Sequence, residues 1–142
     1  MESRVSETIK ADLIQRGWFK KLSDRYQVGL PDIIGCMHGK FIGIEVKSVA
    51  EIAPEGLCPR MSEHTFSPKQ VRELTRINEA GGLGIAVVAC KDKLMYFHPH
   101  LINEHGQVNA NNALVVGHYV NKEKGRWDMG KILEYFNNIG ER

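Results

Sequence analysis

The sequence predicts an α/β fold, or α+β in some schemes, with a small mixed sheet flanked by helices. Two amphipathic helical patterns alternate with short apolar runs of strand length. Two of these runs are separated by a His-Gly pair, which is typical of a tight β-hairpin. With 142 residues, of which 42% are hydrophobic and 25% charged, the chain is expected to form one globular domain with its own core.

The first predicted element is an amphipathic helix over about residues 3–16, where Val5, Ile9 and Leu13 recur at four-residue spacing. Gly17 ends this pattern, and a first strand is predicted from Trp18 to Leu22. The hairpin follows, with its strands over residues 33–37 and 40–47 and its turn at His38-Gly39.

After an irregular segment from Ala50 to Phe66, a second helix is predicted with Ser67 as N-cap, Pro68 in its first turn and Gly81-Gly82 at its end. The remaining predicted elements are strands over residues 83–90, 93–97 and 113–120 and a terminal helix over residues 129–138. The segment from 99 to 112 is polar and carries no periodic pattern.

Several classes of protein are disfavoured by composition. No apolar run approaches the roughly 20 residues that span a bilayer, and the N-terminus opens into a helical pattern rather than a signal peptide. Cys36, Cys58 and Cys90 lack metal-type or redox-type spacing, so we expect buried, reduced thiols in a cytoplasm. A formal charge of +2 does not by itself indicate a nucleic-acid partner.

The hairpin carries the main chemical prediction. With a two-residue turn at His38-Gly39, Asp32 lies opposite Glu45, and directly opposed Cβ atoms are about 5 Å apart. A divalent cation between the two carboxylates would turn their repulsion into attraction. Lys47 follows on the same face, roughly 7 Å along the strand. The pattern predicts a metal-dependent site for chemistry on phosphates.

The alternative is that Pro31-Asp32 is an ordinary turn dipeptide and Glu45-Val46-Lys47 an ordinary exposed strand. Against it stands the apolar character of both hairpin faces, which places these strands inside a sheet. Charged groups at the end of such a pair are costly unless something compensates them.

In its order of elements and motifs, the chain resembles the PD-(D/E)xK nuclease superfamily, and most of all its VRR-NUC branch and the archaeal-type Holliday-junction resolvases. The matching segments are Gly29 to Ile34, Gly39 to Ser48, Ser67 to Gln70 and Gly81 to Val88. The resemblance covers about residues 3–90 and implies a restriction-endonuclease-like fold. Residues 91–142 form an extension outside it, within a single nuclease domain over residues 1–142.

The resemblance also implies roles for individual residues. Asp32, Glu45 and the backbone carbonyl of Val46 would bind Mg²⁺ or Mn²⁺, while Lys47 would orient or help deprotonate the attacking water, or stabilise charge on the phosphate. Glu7 is the candidate for a further acid on the first helix, with Glu2 as the alternative. Gln70 matches a polar residue that commonly faces the lysine.

Basic residues flank the motif on both sides and would contact a phosphate backbone; they are Lys20, Lys21, Arg25, Arg60, Lys69, Arg72 and Arg76. A zinc site at His98, His100 and His105 is the weaker alternative for the histidines, because no Cys or acidic partner has suitable spacing.

The function we predict is metal-dependent endonucleolytic hydrolysis of DNA, most of all of four-way junctions or other branched DNA. A resolvase makes two symmetric cuts, which implies a homodimer. Small stand-alone members of this kind are frequent in bacteriophages, in which case the chain would act in the host cytoplasm. The alternatives are a flap, nicking or general VRR-NUC nuclease, and a catalytically silent DNA-binding module of the same fold.

Overall fold

The computed structural model describes residues 2–14, 17–22, 29–61, 64–91, 93–121 and 126–127. Within these ranges, helices and strands follow one another in the order α1 (Glu2–Leu13), β1 (Trp18–Lys21), β2 (Ile33–Met37), β3 (Lys40–Val49), β4 (Leu57–Cys58), α2 (Pro68–Glu79), β5 (Leu83–Cys90), β6 (Lys93–Phe97), β7 (Val108–Asn109), β8 (Val115–Asn121) and β9 (Arg126–Trp127). Single 3₁₀ turns lie at Pro99–Leu101 and Ala110–Asn112. The terminal helix predicted over residues 129–138 lies outside the described residues.

The strands form a mixed sheet. In the described part of the chain seven strands are ordered β1-β2-β3-β5-β6-β8-β9, and β4 pairs with β7 in a separate ladder. The β3–β5 pair is parallel, whereas the other neighbours of the main sheet are antiparallel. A parallel pair needs a long crossover, and the segment containing α2 supplies it. The predicted α/β (α+β) fold class is confirmed.

The hairpin of β2 and β3 has the predicted register. His38 and Gly39 both have positive φ, 52° and 78°, as a type I′ turn requires. Met37 pairs with Lys40, and the ladder runs without a shift to the pair of Ile33 and Ile44. Asp32 lies one residue beyond this last pair, where β2 gives way to a bend.

Two hydrophobic clusters cover the two faces of the sheet. On one face, Val5, Ile9 and Leu13 of α1 pack with apolar side chains that include Ile44 and Val46. On the other face, Leu74 of α2 packs with a second set of apolar side chains. Since neighbours along a strand point to opposite faces, Glu45 and Lys47 lie on the α2 side.

The α2 helix is fastened to β5 at its C-terminal end by one side chain. The Asn78 amide donates to the Gly84 carbonyl at 2.9 Å, and its oxygen accepts from the Gly84 N–H at 3.0 Å. This pair of bonds reproduces what a neighbouring strand would make, so α2 is held at the strand edge. The helix therefore has a defined position over the sheet face that carries Glu45.

The structure corrects one expectation about exposure, that for the cysteines. Cys58 and Cys90 are buried as expected, but Cys36 is exposed, because it lies close to the hairpin turn and outside the hydrophobic cluster on the α2 face. Phe41, which pairs with Cys36, is 41% exposed for the same reason. Trp18 on β1 is also exposed, at 54%. Among the described residues, no helix has the length and apolarity needed to cross a membrane.

Candidate active site

Asp32 marks the point at which β2 leaves the sheet. Its Oδ2 accepts a hydrogen bond from the Val46 N–H at 3.0 Å, and its own carbonyl accepts from the Leu22 N–H at 2.7 Å. The Asp32 carboxylate thus accepts the hydrogen bond that the Val46 N–H of β3 would otherwise donate to a backbone carbonyl of the neighbouring strand. Asp32 is half-buried, and the bond to Val46 uses one of its two oxygens.

Pro31 removes one backbone hydrogen bond of the ladder at this edge. In a hairpin with a two-residue turn, Met37 and Lys40 form a hydrogen-bonded pair, and alternate pairs repeat this pattern up to Ile33 and Ile44. The next hydrogen-bonded position would pair Pro31 with Val46. Proline has no N–H, so Pro31 cannot donate to the Val46 carbonyl, which points to the same strand edge as the Val46 N–H.

Glu45 and Lys47 lie two residues apart on β3 and are both buried, with 3% and 1% of their surface exposed. Lys47 Nζ lies 3.9 Å from Glu45 Oε2. The ammonium also lies over the Phe66 ring, 5.7 Å from its centroid, within the range of a cation–π interaction. Burying two charges is costly unless they are paired, and these contacts supply part of the compensation.

Gln70 brings α2 into the same cluster. Its Nε2 donates to Glu45 Oε2 at 3.1 Å, so it contacts the glutamate, whereas the resemblance led us to expect the lysine. Its Oε1 accepts from the Ser67 N–H at 2.9 Å, and Ser67 Oγ accepts from the Gln70 N–H at 3.1 Å. This capping box fixes the amide orientation and points the NH₂ group at the carboxylate.

Ser67 was expected only as a helix cap, and its indirect link to Glu45 was missed. The Ser-x-x-Gln spacing of a capping box was the signal available in the sequence. Phe66 was missed altogether, because no local pattern marks it as the partner of Lys47.

Glu7 lies on α1, which packs on the opposite face of the sheet from Glu45. Its side chain is 52% exposed, and its carboxylate contacts Lys10 at 3.2 Å and Lys21 at 4.0 Å. The described contacts of Glu7 therefore join it to lysines rather than to Asp32 or Glu45. For Glu2 the structure describes the backbone only. A place for either residue in a metal site stays a prediction.

The donors at this edge suit a hard divalent cation. Asp32 and Glu45 offer carboxylate oxygens, and the Val46 carbonyl faces the edge where Pro31 cannot reach it. Oxygen ligands of this kind fit Mg²⁺ or Mn²⁺, and so small a set leaves positions for water and substrate. In the described part of the chain, no group of three or more His, Cys, Asp or Glu side chains is arranged to hold a metal. The oxygen donors that the described residues bring to this edge are the two carboxylates and the Val46 carbonyl.

The basic residues predicted to bind DNA fall into three groups. Lys69, Arg72 and Arg76 are exposed along α2, and Lys20 is exposed on the edge strand β1. Lys21 is half-buried beside Glu7, and Arg60 pairs with Glu51 at 3.0 Å. Arg25 lies outside the described residues.

A cleft opens beside this cluster, and its volume is about 790 Å³. Its described walls come from residues 61 and 64–68, the first turns of α2 and the 103–106 loop. They include Phe66, Ser67 and Arg72 but not Arg76. Phe66 contacts Lys47, and Ser67 is bonded to Gln70, so the cleft begins where the buried charges end.

The histidines do not form the alternative zinc site within the described residues. His98 and His100 contact each other through their ring nitrogens, and His98 Nδ1 also accepts from the His100 N–H. Partial burial, followed by the repulsion of His100, lowers the pKa of His98 from its ordinary value. His105 instead contacts Glu104 at 3.6 Å.

Comparisons with known proteins agree with the fold. No protein-family model matches the chain, and no curated protein sequence does. A solved structure that does match is Hjc from Archaeoglobus fulgidus, a Holliday junction resolvase from an archaeal hyperthermophile. The two share 15% sequence identity and superpose with a TM-score of 0.58, over 78% of this chain and 90% of that one. At this identity the likeness concerns the fold, and the VRR-NUC branch stays a prediction. The chain has the fold of an archaeal Holliday junction resolvase.

Proposed function

We propose that this protein is a metal-dependent DNA endonuclease that resolves four-way junctions or other branched DNA. The observation that carries the proposal is the cluster of Asp32, Glu45, Lys47 and Gln70 at one strand edge of a resolvase-like fold. Buried charges arranged around a set of hard oxygen donors are costly for stability alone, which favours a catalytic role.

Each residue of the cluster would have a distinct role in the reaction. Asp32, Glu45 and the Val46 carbonyl would hold Mg²⁺ or Mn²⁺, which when bound supplies a Lewis acid for a phosphate oxygen and lowers the pKa of water. Lys47 would donate hydrogen bonds to the attacking water or to the phosphate as charge builds on its oxygens. Gln70 would keep the Glu45 carboxylate in one orientation, because its amide is fixed by Ser67.

A junction has two equivalent strands to cut, and each cut needs its own site. The proposal therefore includes a homodimer related by a two-fold axis. In-line attack by water would leave 5′-phosphate and 3′-hydroxyl ends, as the family resemblance implies. The proposed setting is a cytoplasm, in a phage-infected host if the gene is phage-borne.

The test compares cleavage of an immobile four-way junction with that of a matched linear duplex, a flap and a single strand. Each substrate is incubated with Mg²⁺, with Mn²⁺ and with chelator. The variant is Asp32→Asn, because an amide oxygen can still accept from the Val46 N–H. Glu79→Gln, an exposed acid at the end of α2, is the matched control.

Symmetric nicks at the junction that require metal, persist in Glu79→Gln and vanish in Asp32→Asn are the expected result. Metal-dependent cutting of all substrates alike would favour the flap, nicking or general nuclease. DNA binding that is equally strong with metal and with chelator, and no cutting under any of the three conditions, would favour the silent module. Full activity of Asp32→Asn would show that the site is wrongly assigned.

A further inference from the structure

Lys47 is a long, flexible side chain whose ammonium must be held still to act on a phosphate. Its stem can adopt many rotamers, yet only 1% of the residue is exposed. Two contacts define where the described residues hold the ammonium, Glu45 Oε2 at 3.9 Å and the Phe66 ring centroid at 5.7 Å. The carboxylate contact is longer than a hydrogen bond, so it attracts the ammonium without fixing its direction.

We propose that Phe66 is a positioning residue for Lys47, and that the 103–107 loop holds Phe66 in place. This inference rests on the proposed function, since it assumes that Lys47 takes part in cleavage. The face of an aromatic ring attracts a cation electrostatically and more strongly when water is excluded. Phe66 is itself 2% exposed, so the interaction is largely shielded from solvent.

The backbone of Phe66 is tied to Gly106. The Phe66 N–H donates to the Gly106 carbonyl at 3.0 Å. Gly106 has a φ of +77°, and a Cβ added there would overlap the Phe66 carbonyl oxygen. Only glycine allows the loop to approach Phe66 this closely.

Asn103 closes the loop through hydrogen bonds of its side chain and backbone. Asn103 Oδ1 accepts from the N–H groups of His105 at 2.9 Å and Gln107 at 3.0 Å. The Asn103 N–H donates to the Gln107 carbonyl at 2.8 Å, and the Gly106 N–H donates to the Asn103 carbonyl at 3.0 Å. The buried Gln107 side chain donates to the Pro59 carbonyl at 2.9 Å and anchors the loop to the segment before Phe66.

A continuous chain of contacts therefore runs from Asn103 through Gly106 and Phe66 to Lys47. Residues 103–107 lie in the extension that falls outside the family resemblance. The inference gives this part of the extension a role in the reaction, although the loop touches Lys47 only through Phe66. A change in the loop should act on the rate of the cleavage step and leave DNA affinity nearly unchanged.

The experiment measures single-turnover cleavage rate and DNA affinity for Phe66→Leu beside Phe97→Leu. Phe97 is a fully buried phenylalanine of the same cluster on the α2 face, so its replacement controls for lost packing. We expect Phe66→Leu to lower the cleavage rate by about tenfold or more with DNA affinity changed by less than about twofold. We expect Phe97→Leu to lower the melting temperature to a similar extent while the rate stays near wild type.

A second series separates the ring's electrostatics from its shape. Replacing Phe66 by mono-, di- and trifluorophenylalanine weakens the negative ring face with little change in volume. The logarithm of the rate should fall steadily with fluorine number at position 66 and stay level at position 97. If Phe66→Leu folds poorly, this fluorinated series tests the positioning role of Phe66 in its place.

The Asn103→Ala variant, with Asn109→Ala as control, extends the test to the loop. Asn109 Oδ1 accepts from the Asn111 N–H at 2.9 Å, in a turn of the same type in which Gly106 takes no part. Equal rates for the Phe66 and Phe97 variants, together with a flat fluorine series, would overturn the inference. Lys47→Met is measured in parallel. If it cleaves like wild type, the proposed function itself fails, and this outcome is distinct from a failure of the inference about Phe66.

Discussion

The buried pair of Lys47 and Glu45 makes a quantitative prediction. At the Nζ–Oε2 distance of 3.9 Å, Coulomb attraction with an effective dielectric constant of about 20 is about 4 kcal/mol. Removing one partner leaves the other charge buried, which costs about 3–5 kcal/mol. We therefore expect Lys47→Met and Glu45→Gln each to lower the free energy of unfolding by about 3–5 kcal/mol, which corresponds to a fall in melting temperature of about 10–17 °C.

The double variant should recover most of this loss, because it leaves no uncompensated charge. The assay is urea unfolding followed by circular dichroism, in chelator, on wild type, the two single variants and the double variant. We expect the double-mutant cycle formed by these four proteins to give a coupling free energy of about 2–4 kcal/mol. Saturating Mg²⁺ should stabilise Lys47→Met, because a cation at Glu45 takes over the compensation that the lysine provided.

An exposed ion pair of the same chain serves as the control. Arg60 and Glu51 are closer, at 3.0 Å, but their side chains are 50% and 64% exposed. Their cycle, made with Arg60→Met and Glu51→Gln, should give about 0–1 kcal/mol. If the Lys47–Glu45 cycle is additive to within about 0.5 kcal/mol, or no larger than this control, the argument from burial is wrong.

Three further predictions concern residues around the cluster. Gln70→Glu keeps an acceptor for the Ser67 N–H but replaces the donor facing Glu45 by a second carboxylate, so the single-turnover cleavage rate should fall by about tenfold or more. If repulsion between the carboxylates is the cause, Gln70→Met should lower this rate less. In a salt titration of DNA binding, Arg72→Ala should weaken the affinity and reduce its salt dependence by about one phosphate contact. Arg76 lies one turn along α2 and outside the cleft, so Arg76→Ala should change both quantities less. The pKa of His98 is lowered in the folded protein, so the unfolded chain binds the proton more readily. The free energy of unfolding should therefore fall as the pH drops below 6.5, the ordinary pKa of histidine. In urea titrations between pH 7 and pH 5, His98→Asn should show a smaller fall.

Much of the fold followed from local sequence patterns. The His38-Gly39 turn sets the hairpin register, because two residues with positive φ match the twist of the flanking strands. Ser67, Pro68 and Gln70 mark the start of α2 through capping groups that lie within one turn of each other. In both cases, residues close in sequence make the decisive contacts.

Predictions that depended on how elements pack were less successful. Cys36 sits in an apolar strand and was expected to be buried, but its exposure depends on which elements pack over that part of the strand. Gln70 was placed near the cluster by resemblance, whereas its contact with Glu45 follows from the position of α2, which Asn78 helps to fix. The pairing of Lys47 with Phe66 spans residues whose approach depends on Gly106, forty residues further along the chain.

The sequence by itself determined the hairpin, its register and the presence of Asp32, Glu45 and Lys47 at one end of it, because a strand's period of two and a two-residue turn leave little freedom. The tertiary structure alone decided which groups surround those charges: Gln70 from α2, Phe66 from the segment before it, and the 103–107 loop behind Phe66. Contacts between distant segments depend on the packing of whole helices and loops against the sheet, and no local pattern in the sequence encodes that packing.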